Sequence, residues 1–490
     1  MSLLYTAIKG MAWTTISTIV RSVVSLLQVS ILTNYLEKTE FGIVAICTLF
    51  IGFSQIFLDL GFSIGIIHKQ DITPRQYSSL FWFNIFSGII ITIVLCLISP
   101  IIANIYDEPS LNVILPLLSL TIFFSSIGNQ HRTVQQKQMR FKYISIIEII
   151  TSLLTLTLAI ILATSGYGIY SLVFSTLFNI LFSNILFLTI GLQKDKNISF
   201  HFSLRDTFPF LKIGVFSVGT QILDYFSREI DIIFISATLG KDTLGVYSLC
   251  KKLVLAVYSA INPILTKVLS PMLAYIQKDI NRVRNVYYNL TETIAIINFP
   301  IYFLIAIFSH TILILIYGYE YTEATLLLSL LAIYYGYLST GNPIGSLQTA
   351  LGRTDTGFYW TFFRITFNTL ALYIGTKYSI EGAVISLFII NFLSQPLFWY
   401  IVVRPLIGGK FLEYLFKILR PFIIVIICSL PFYLIPLGQY HIIYSILLTI
   451  IFLLTYFSSI YKILSNSYIV TIIQTYRVNR RNNLTDSSCK

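Results

Sequence analysis

Charged residues are scarce in this chain: Asp, Glu, Lys and Arg make up 11% of its 490 residues, against 56% hydrophobic residues. A sequence so poor in charge cannot cover the surface of ordinary soluble domains, and that class is excluded. Cysteine is nearly absent as well. The five present, Cys47, Cys96, Cys250, Cys428 and Cys489, are scattered and form no pair with metal or redox spacing. There is no phosphate-cradling glycine loop, no HExxH, no CxxC and no nucleophile elbow, so nucleotide hydrolysis within the chain is not expected, and neither is a cofactor or a metal. Long polar connections are missing too. The outer turns stay within about a dozen residues and the inner ones near twenty, which leaves no room for a folded catalytic domain outside a membrane.

What the sequence does have is apolar runs of about 20 residues along its whole length, the signature of spanning helices rather than of barrel strands. Fourteen helices are predicted: 11–33, 41–66, 78–99, 111–126, 143–163, 168–191, 213–236, 245–269, 294–317, 324–337, 357–376, 380–403, 421–437 and 441–461. The fold class is therefore an all-α integral membrane protein. The first run contains Arg21, is followed at once by a second run and lacks a small-residue cleavage signature, so it reads as a retained helix and not a signal peptide.

The formal net charge of +12 would suggest a nucleic-acid partner in a soluble protein. Here its distribution gives it another meaning. With the N-terminus in the cytoplasm, 24 of the 33 Lys and Arg residues fall in inner connections or tails, and only Lys38, Lys241 and Lys377 fall outside. That is the positive-inside pattern, with both termini cytoplasmic and the excess charge facing anionic lipid. No nucleic acid is expected.

Ser217, Gln221, Asp224, Arg228 and Asp231 are spaced alternately by four and three, which puts them on one face of a helix. At an offset of 203, Thr14, Thr18, Arg21, Ser25 and Gln28 form the same stripe. The repeat continues. At 203, YLEKTEFGIVAIC matches TLGKDTLGVYSLC; at 211, Ile105 and Tyr106 match Ile316 and Tyr317; at 213, Ser126, Gly128 and Asn129 match Ser339, Gly341 and Asn342; at 214, Gly168 matches Gly382. A six-helix unit duplicated once enters the membrane in the same direction both times, a parallel repeat with the substrate path between its halves. The predicted domains are an N-terminal six-helix lobe at 1–200, a C-terminal one at 201–405, two extra helices at 406–464 and a basic cytoplasmic tail at 465–490. The two stripes are expected to face each other across a central cavity, against the plainer reading that they are polar glue between packed helices.

Ionisable residues at membrane depth are costly and are functional candidates by default. Arg21, Arg228, Lys251, Lys252 and Arg364 are the candidates for holding an anionic substrate group, since guanidinium suits phosphate through two parallel donors and ammonium as a point charge. Asp224, Asp231, Glu229 and Asp59 are the candidates for coupling a cation. Each has a plain alternative. Arg228 lies a turn from Asp224 and close to Asp231 and is placed for an internal salt bridge; Lys251 and Lys252 are placed to snorkel outward, and Lys267 to the inner face; Glu148 and Asp59 are placed to pair with loop cations. Arg21 has no acid in its own helix and awaits a ligand or a partner elsewhere. Three functions remain open on the residues alone: a transporter of a charged amphipathic substrate, a cation-coupled exporter of drugs or small molecules, and a membrane glycosyltransferase or polymerase, the last disfavoured by the short outer turns.

The segments GMAWTTISTIVRSVVSLLQVSILTNYLEKTEFGIVAI, LDLGFSIGIIHK, PRQYSSLFWFNI, QQKQMRFKYISIIEI and DIIFISATLGKDTLGVYSL resemble the polysaccharide transporters of the multidrug/oligosaccharidyl-lipid/polysaccharide exporter superfamily, specifically Wzx-type oligosaccharide flippases of the colanic-acid exporter kind. The resemblance spans roughly residues 8–405 and, more loosely, the last two helices. It implies two six-helix lobes in a V around a central cavity, a bacterial inner membrane, and transfer of an undecaprenyl-pyrophosphate-linked oligosaccharide between leaflets for capsule, O-antigen or exopolysaccharide synthesis. It also implies membrane lipids as partners, together with polysaccharide polymerase and export machinery. Basic residues line the cavity of related lipid-linked flippases, and Arg21 takes a comparable place. The acidic coupling motifs of the drug-exporting relatives have no residue-by-residue match here.

Overall fold

The computed structural model describes residues 3–68, 72–195, 199–353, 355–433 and 442–465. Cys489 and the predicted amphipathic tail from Tyr468 to Tyr476 with Arg477, Arg480 and Arg481 lie outside them, as do the side chains of Ser217 and Lys267. The described residues are helical throughout, with no strand. Ten helices are long and apolar enough to cross a membrane, or eleven if the pair 380–393 and 395–407, bent by 45°, is one span. The chain is an all-α, multi-pass membrane protein.

Its contacts divide it into two compact units. The first (1–256, 316–318 and 364–383) holds α1 (Leu3–Leu32), α2 (Lys38–Asp59), α3 (Phe62–His68), α4 (Pro74–Ile105), α5 (Leu111–Lys137), α6 (Phe141–Thr164), α7 (Tyr170–Asp195), α8 (Leu204–Thr238) and the start of α9 (Gly240–Tyr275). The second (257–315, 319–363 and 384–490) holds the rest of α9, α10 (Ile280–Ile307), most of α11 (Ser309–Tyr317), α12 (Thr325–Ser339) and α13 (Pro343–Leu351). It also takes the start of α14 (Asp355–Gly375), most of α15 (Ile380–Leu393), α16 (Gln395–Phe398), a π-turn (Trp399–Val403), α17 (Arg404–Ile407), α18 (Phe411–Tyr433) and α19 (Ile442–Ser465).

Local chemistry sets several boundaries. Thr73 caps α4 through the Gln76 N–H, Gln76 returns the bond, and Pro74 begins the helix where a missing N–H costs nothing. Glu37 and Glu40 form the same reciprocal box at the start of α2. That helix ends where Leu60 and Gly61 take φ of 42° and 75°, the left-handed turn that a glycine relieves. Several boundaries differ from expectation: the helix expected at 41–66 breaks into α2 and α3 at that turn, and the one expected at 294–317 is α10 followed by α11. The helix expected to stop at Ser126 continues as α5 to Lys137, so His131, Arg132 and Lys137 stand on helix rather than in a loop. The polar run NQHRTVQQK carries no apolar periodicity to reveal this, yet Gln130, His131, Thr133 and Gln135 are buried.

Within the first unit α5 packs between α4 and α7, α6 between α7 and α1, and α8 on α2, α3 and α4. The second unit is organised on α10, against which α12 and α18 pack around a core rich in aromatics. There Lys417 of α18 donates to Glu292 at 2.6 Å and to Asn289 at 3.2 Å on α10, an ion pair the sequence reading did not single out.

Candidate functional site

All five basic candidates lie in the first unit. The densest charge is on α8 and the facing turns of α9. Lys251 is buried, at 5% exposure, and does not snorkel. Its ammonium donates to Asp231 Oδ1 at 2.9 Å, to Glu229 Oε2 at 3.1 Å and to the Arg228 carbonyl at 3.2 Å. Asp231, also buried, accepts from the Ile232 N–H at 2.8 Å through Oδ1 and from the Tyr247 hydroxyl through Oδ2. In a regular helix the Ile232 N–H and the Arg228 carbonyl are i→i−4 partners. Here both also serve the cluster, so α8 turns backbone polarity toward Lys251 at mid-length.

The other candidates stand differently. Arg228 is exposed and takes part in no ion pair among the described residues, so the salt bridge to Asp224 or Asp231 is not formed; Asp231 is committed to Lys251. Lys252 and Asp224 are exposed, and Glu229 is half-buried. Arg364 of α14 is half-buried and donates to Ser227 Oγ at 2.8 Å, which joins it to the turn of α8 that carries Arg228. Asp59 ends α2 and accepts from the Ser63 hydroxyl at 2.5 Å and N–H at 3.2 Å, a local cap rather than a pair with a loop cation.

Arg21 finds its partner on α6. Glu148 Oε2 accepts from Arg21 at 2.8 Å and from Ser17 at 3.0 Å, and Glu148 Oε1 from Arg132 at 2.8 Å. The rest of the α1 stripe serves packing. Thr14 and Thr18 bond to carbonyls one turn back in their own helix, and Gln28 donates to Ser175 of α7 at 3.2 Å. Sequence reasoning missed Glu148 as the Arg21 partner, along with Tyr247 and the Lys241–Glu108 ion pair. The available signal was the acid itself, isolated inside the apolar run of 143–163. Glu108, at the turn between α4 and α5, has its carboxyl held below the usual range: desolvation pushes it up, but bonds from Lys241 and Ser110 outweigh that.

The copies of the repeated motif meet. A Cβ on Gly42 would stand 2.9 Å from the Lys241 carbonyl carbon and 3.3 Å from the Gly245 nitrogen; one on Gly245 would stand 2.8 Å from the Lys38 carbonyl carbon and 3.2 Å from the Gly42 nitrogen. These are the residues paired at the offset of 203, so the crossing of α2 and α9 is reciprocal, and only glycine fits at its centre on either side.

With this geometry in view, the comparisons decide the family. The model of a family described as "Polysaccharide biosynthesis protein" matches residues 31–326. The chain belongs to that family. Among its relatives, the lipopolysaccharide biosynthesis protein WzxC of Escherichia coli K12 is 26% identical, over 86% of each chain. The teichuronic acid biosynthesis protein TuaB of Bacillus subtilis is 28% identical, over 85% of this chain and 86% of its own. The resemblance to Wzx-type flippases carried by LDLGFSIGIIHK and the other segments is thereby borne out. In fold, this family member matches the lipid II flippase MurJ in an inward closed conformation, with a TM-score of 0.73 at 14% identity over 92% of this chain and 99% of MurJ. It also matches an inward-facing multidrug MATE transporter, with a TM-score of 0.64 at 15% identity over 78% and 94%.

Proposed function

We propose that this protein is a lipid-linked oligosaccharide flippase, a transporter and not an enzyme. In this reading it moves an undecaprenyl-pyrophosphate-linked repeat unit from the inner to the outer leaflet of a bacterial inner membrane, with both termini cytoplasmic, and hands it to a polysaccharide polymerase. Two six-helix lobes, 1–200 and 201–405, alternate access to a cavity between them, with 406–464 as two further helices. One observation carries the substrate class: α8 and its neighbours hold cations inside an apolar bundle of a polysaccharide-biosynthesis family. Arg228, Lys252 and Arg364 are placed to take the pyrophosphate: Arg228 and Lys252 are exposed without an ion partner among the described residues, and half-buried Arg364 meets the same turn of α8 through Ser227. A guanidinium suits a phosphate because it can offer two parallel donors. Arg21 and Lys251 act more locally, since each already faces carboxylate.

Of the four acids considered for coupling a cation, Asp224 remains the candidate in this reading, since Asp231 and Glu229 bond Lys251 and Asp59 caps a local turn. The drug-exporter reading needs an acid-dominated cavity, and it is disfavoured because Asp231 and Glu229 are matched by Lys251. The test is surface polysaccharide in a strain lacking its own copy of the gene. Arg228→Ala and Arg364→Ala, together and singly, are expected to reduce it while protein level holds. Undiminished polysaccharide in both singles and the double would sink the assignment.

A further inference from the structure

We propose that Lys251 is a built-in cation: its ammonium occupies the place in α8 that a metal ion would otherwise fill, so that this protein's cycle does not draw on sodium or potassium at Asp231 and Glu229. This deepens the transport reading above by naming what sits at its acids, but it stands on geometry and its test does not use transport.

The surroundings of the ammonium are those of a cation site. Three oxygens, two from carboxylates and one from a mid-helix backbone carbonyl, converge on Lys251 Nζ at 2.9–3.2 Å. Oxygen-only shells that combine carboxylates with carbonyls are what hard cations select. Tyr247 and the Ile232 N–H brace Asp231 from its other sides and fix it in place whether or not the ammonium is present.

The internal repeat supplies an independent argument. At the offset of 203 the positions of Glu229, Asp231, Tyr247 and Lys251 are held by Leu26, Gln28, Val44 and Thr48. The first copy builds the same helix pair with no charge at any of the four, so the fold does not require this cluster. Acids and lysine are present together in one copy and absent together from the other. A buried ion pair adds little stability over a well-packed neutral set, which leaves a functional reason for keeping it.

Lys251→Met preserves length and removes the charge, which leaves the oxygens to an external cation. The experiment is thermal unfolding of the purified full chain in equimolar sodium, potassium or choline chloride. The wild type is expected to melt alike in all three. Lys251→Met is expected to melt at least about 2 °C higher in one of the metal salts than in choline, or to be recovered folded only in a metal salt, and Lys251→Met/Asp231→Asn is expected to lose that dependence. Three results would overturn the proposal. The first is a Lys251→Met protein indifferent to the salt. The second is a metal-dependent rise in the wild type that Asp231→Asn removes. The third is a Lys251→Met protein folded in no salt while the double variant folds in all, since a metal then cannot take the ammonium's place. A purely structural ion pair would give no cation dependence in any variant.

Discussion

The two copies of the repeated helix pair, α1 with α2 and α8 with α9, agree where backbones touch and disagree where charge is held. At the crossing, Gly42 and Gly245 play the same part, each against the other's helix, and a methyl group on either would meet a carbonyl. Away from the crossing the correspondence fails. Arg21 of the first copy is answered from α6 by Glu148, whereas its counterpart, Asp224, is exposed. Gln28 makes one neutral bond to Ser175, and its counterpart Asp231 anchors a buried lysine. The two matched motifs thus agree where close packing admits only glycine and differ at the polar positions around it.

The comparison can be broken at its shared point first. Gly42→Leu and Gly245→Leu are each expected to cost about 3 kcal/mol or more, because the clash is with backbone that cannot rotate away. If the crossing is symmetric the two losses will be alike. Thermal unfolding and surface polysaccharide read both effects, and tolerance of either leucine would show that the copies separate there.

Next comes the point of divergence. Asp231→Ala strips Lys251 of its nearest acid and is expected to cost about 3–5 kcal/mol, the penalty of leaving a buried charge poorly matched. Gln28→Ala, the same position in the first copy, removes one neutral hydrogen bond and is expected to cost about 1 kcal/mol. Unfolding of the two variants side by side checks the ratio, and equal losses would deny the distinction between the copies.

A smaller effect is expected at Glu148. Glu148→Gln releases Arg21 and Arg132, both partly exposed, so they re-solvate, and the expected loss is about 1–3 kcal/mol. The smallest belongs to the Lys241–Glu108 pair, about 0.2–1 kcal/mol as for other pairs near solvent. Its sign with pH is fixed: the Glu108 carboxyl is depressed on folding, so its stabilisation is present above the ordinary carboxylate range near pH ~4.3 and is lost as pH falls through the lower folded value. Comparison of Lys241→Met with the parent should show a difference in melting near neutral pH that vanishes in strong acid.

Much of this was legible in the residues. Apolar runs fixed the class, and the offset of 203 singled out the motif copies that meet at the glycine crossing. What was not legible was pairing between helices. Arg21 and Glu148 lie 127 positions apart, and nothing in either helix points to the other. Lys251 read as a ligand for the substrate's anion or, alternatively, as a snorkelling lysine because one sequence shows a helix face but not its neighbour, and the acids that hold it stand 20 and 22 residues earlier, on the preceding helix. The same blindness left a salt bridge within its own helix open for Arg228, when Asp231 turns to Lys251 instead. Local spacing identifies which groups share a face; competition among all the partners that face meets decides the bonds.

The central claim is that the cations of the second copy hold the substrate's anionic group. Its most direct measurement is the flipping of a fluorescent undecaprenyl-pyrophosphate-linked oligosaccharide in vesicles reconstituted with the wild type, Arg228→Ala/Arg364→Ala or Gln28→Ala. Flipping is expected to fall at least about tenfold in the double arginine variant, the loss of one charge-assisted contact or more, and to stay near wild type in Gln28→Ala. Wild-type flipping by a folded Arg228→Ala/Arg364→Ala protein would contradict it.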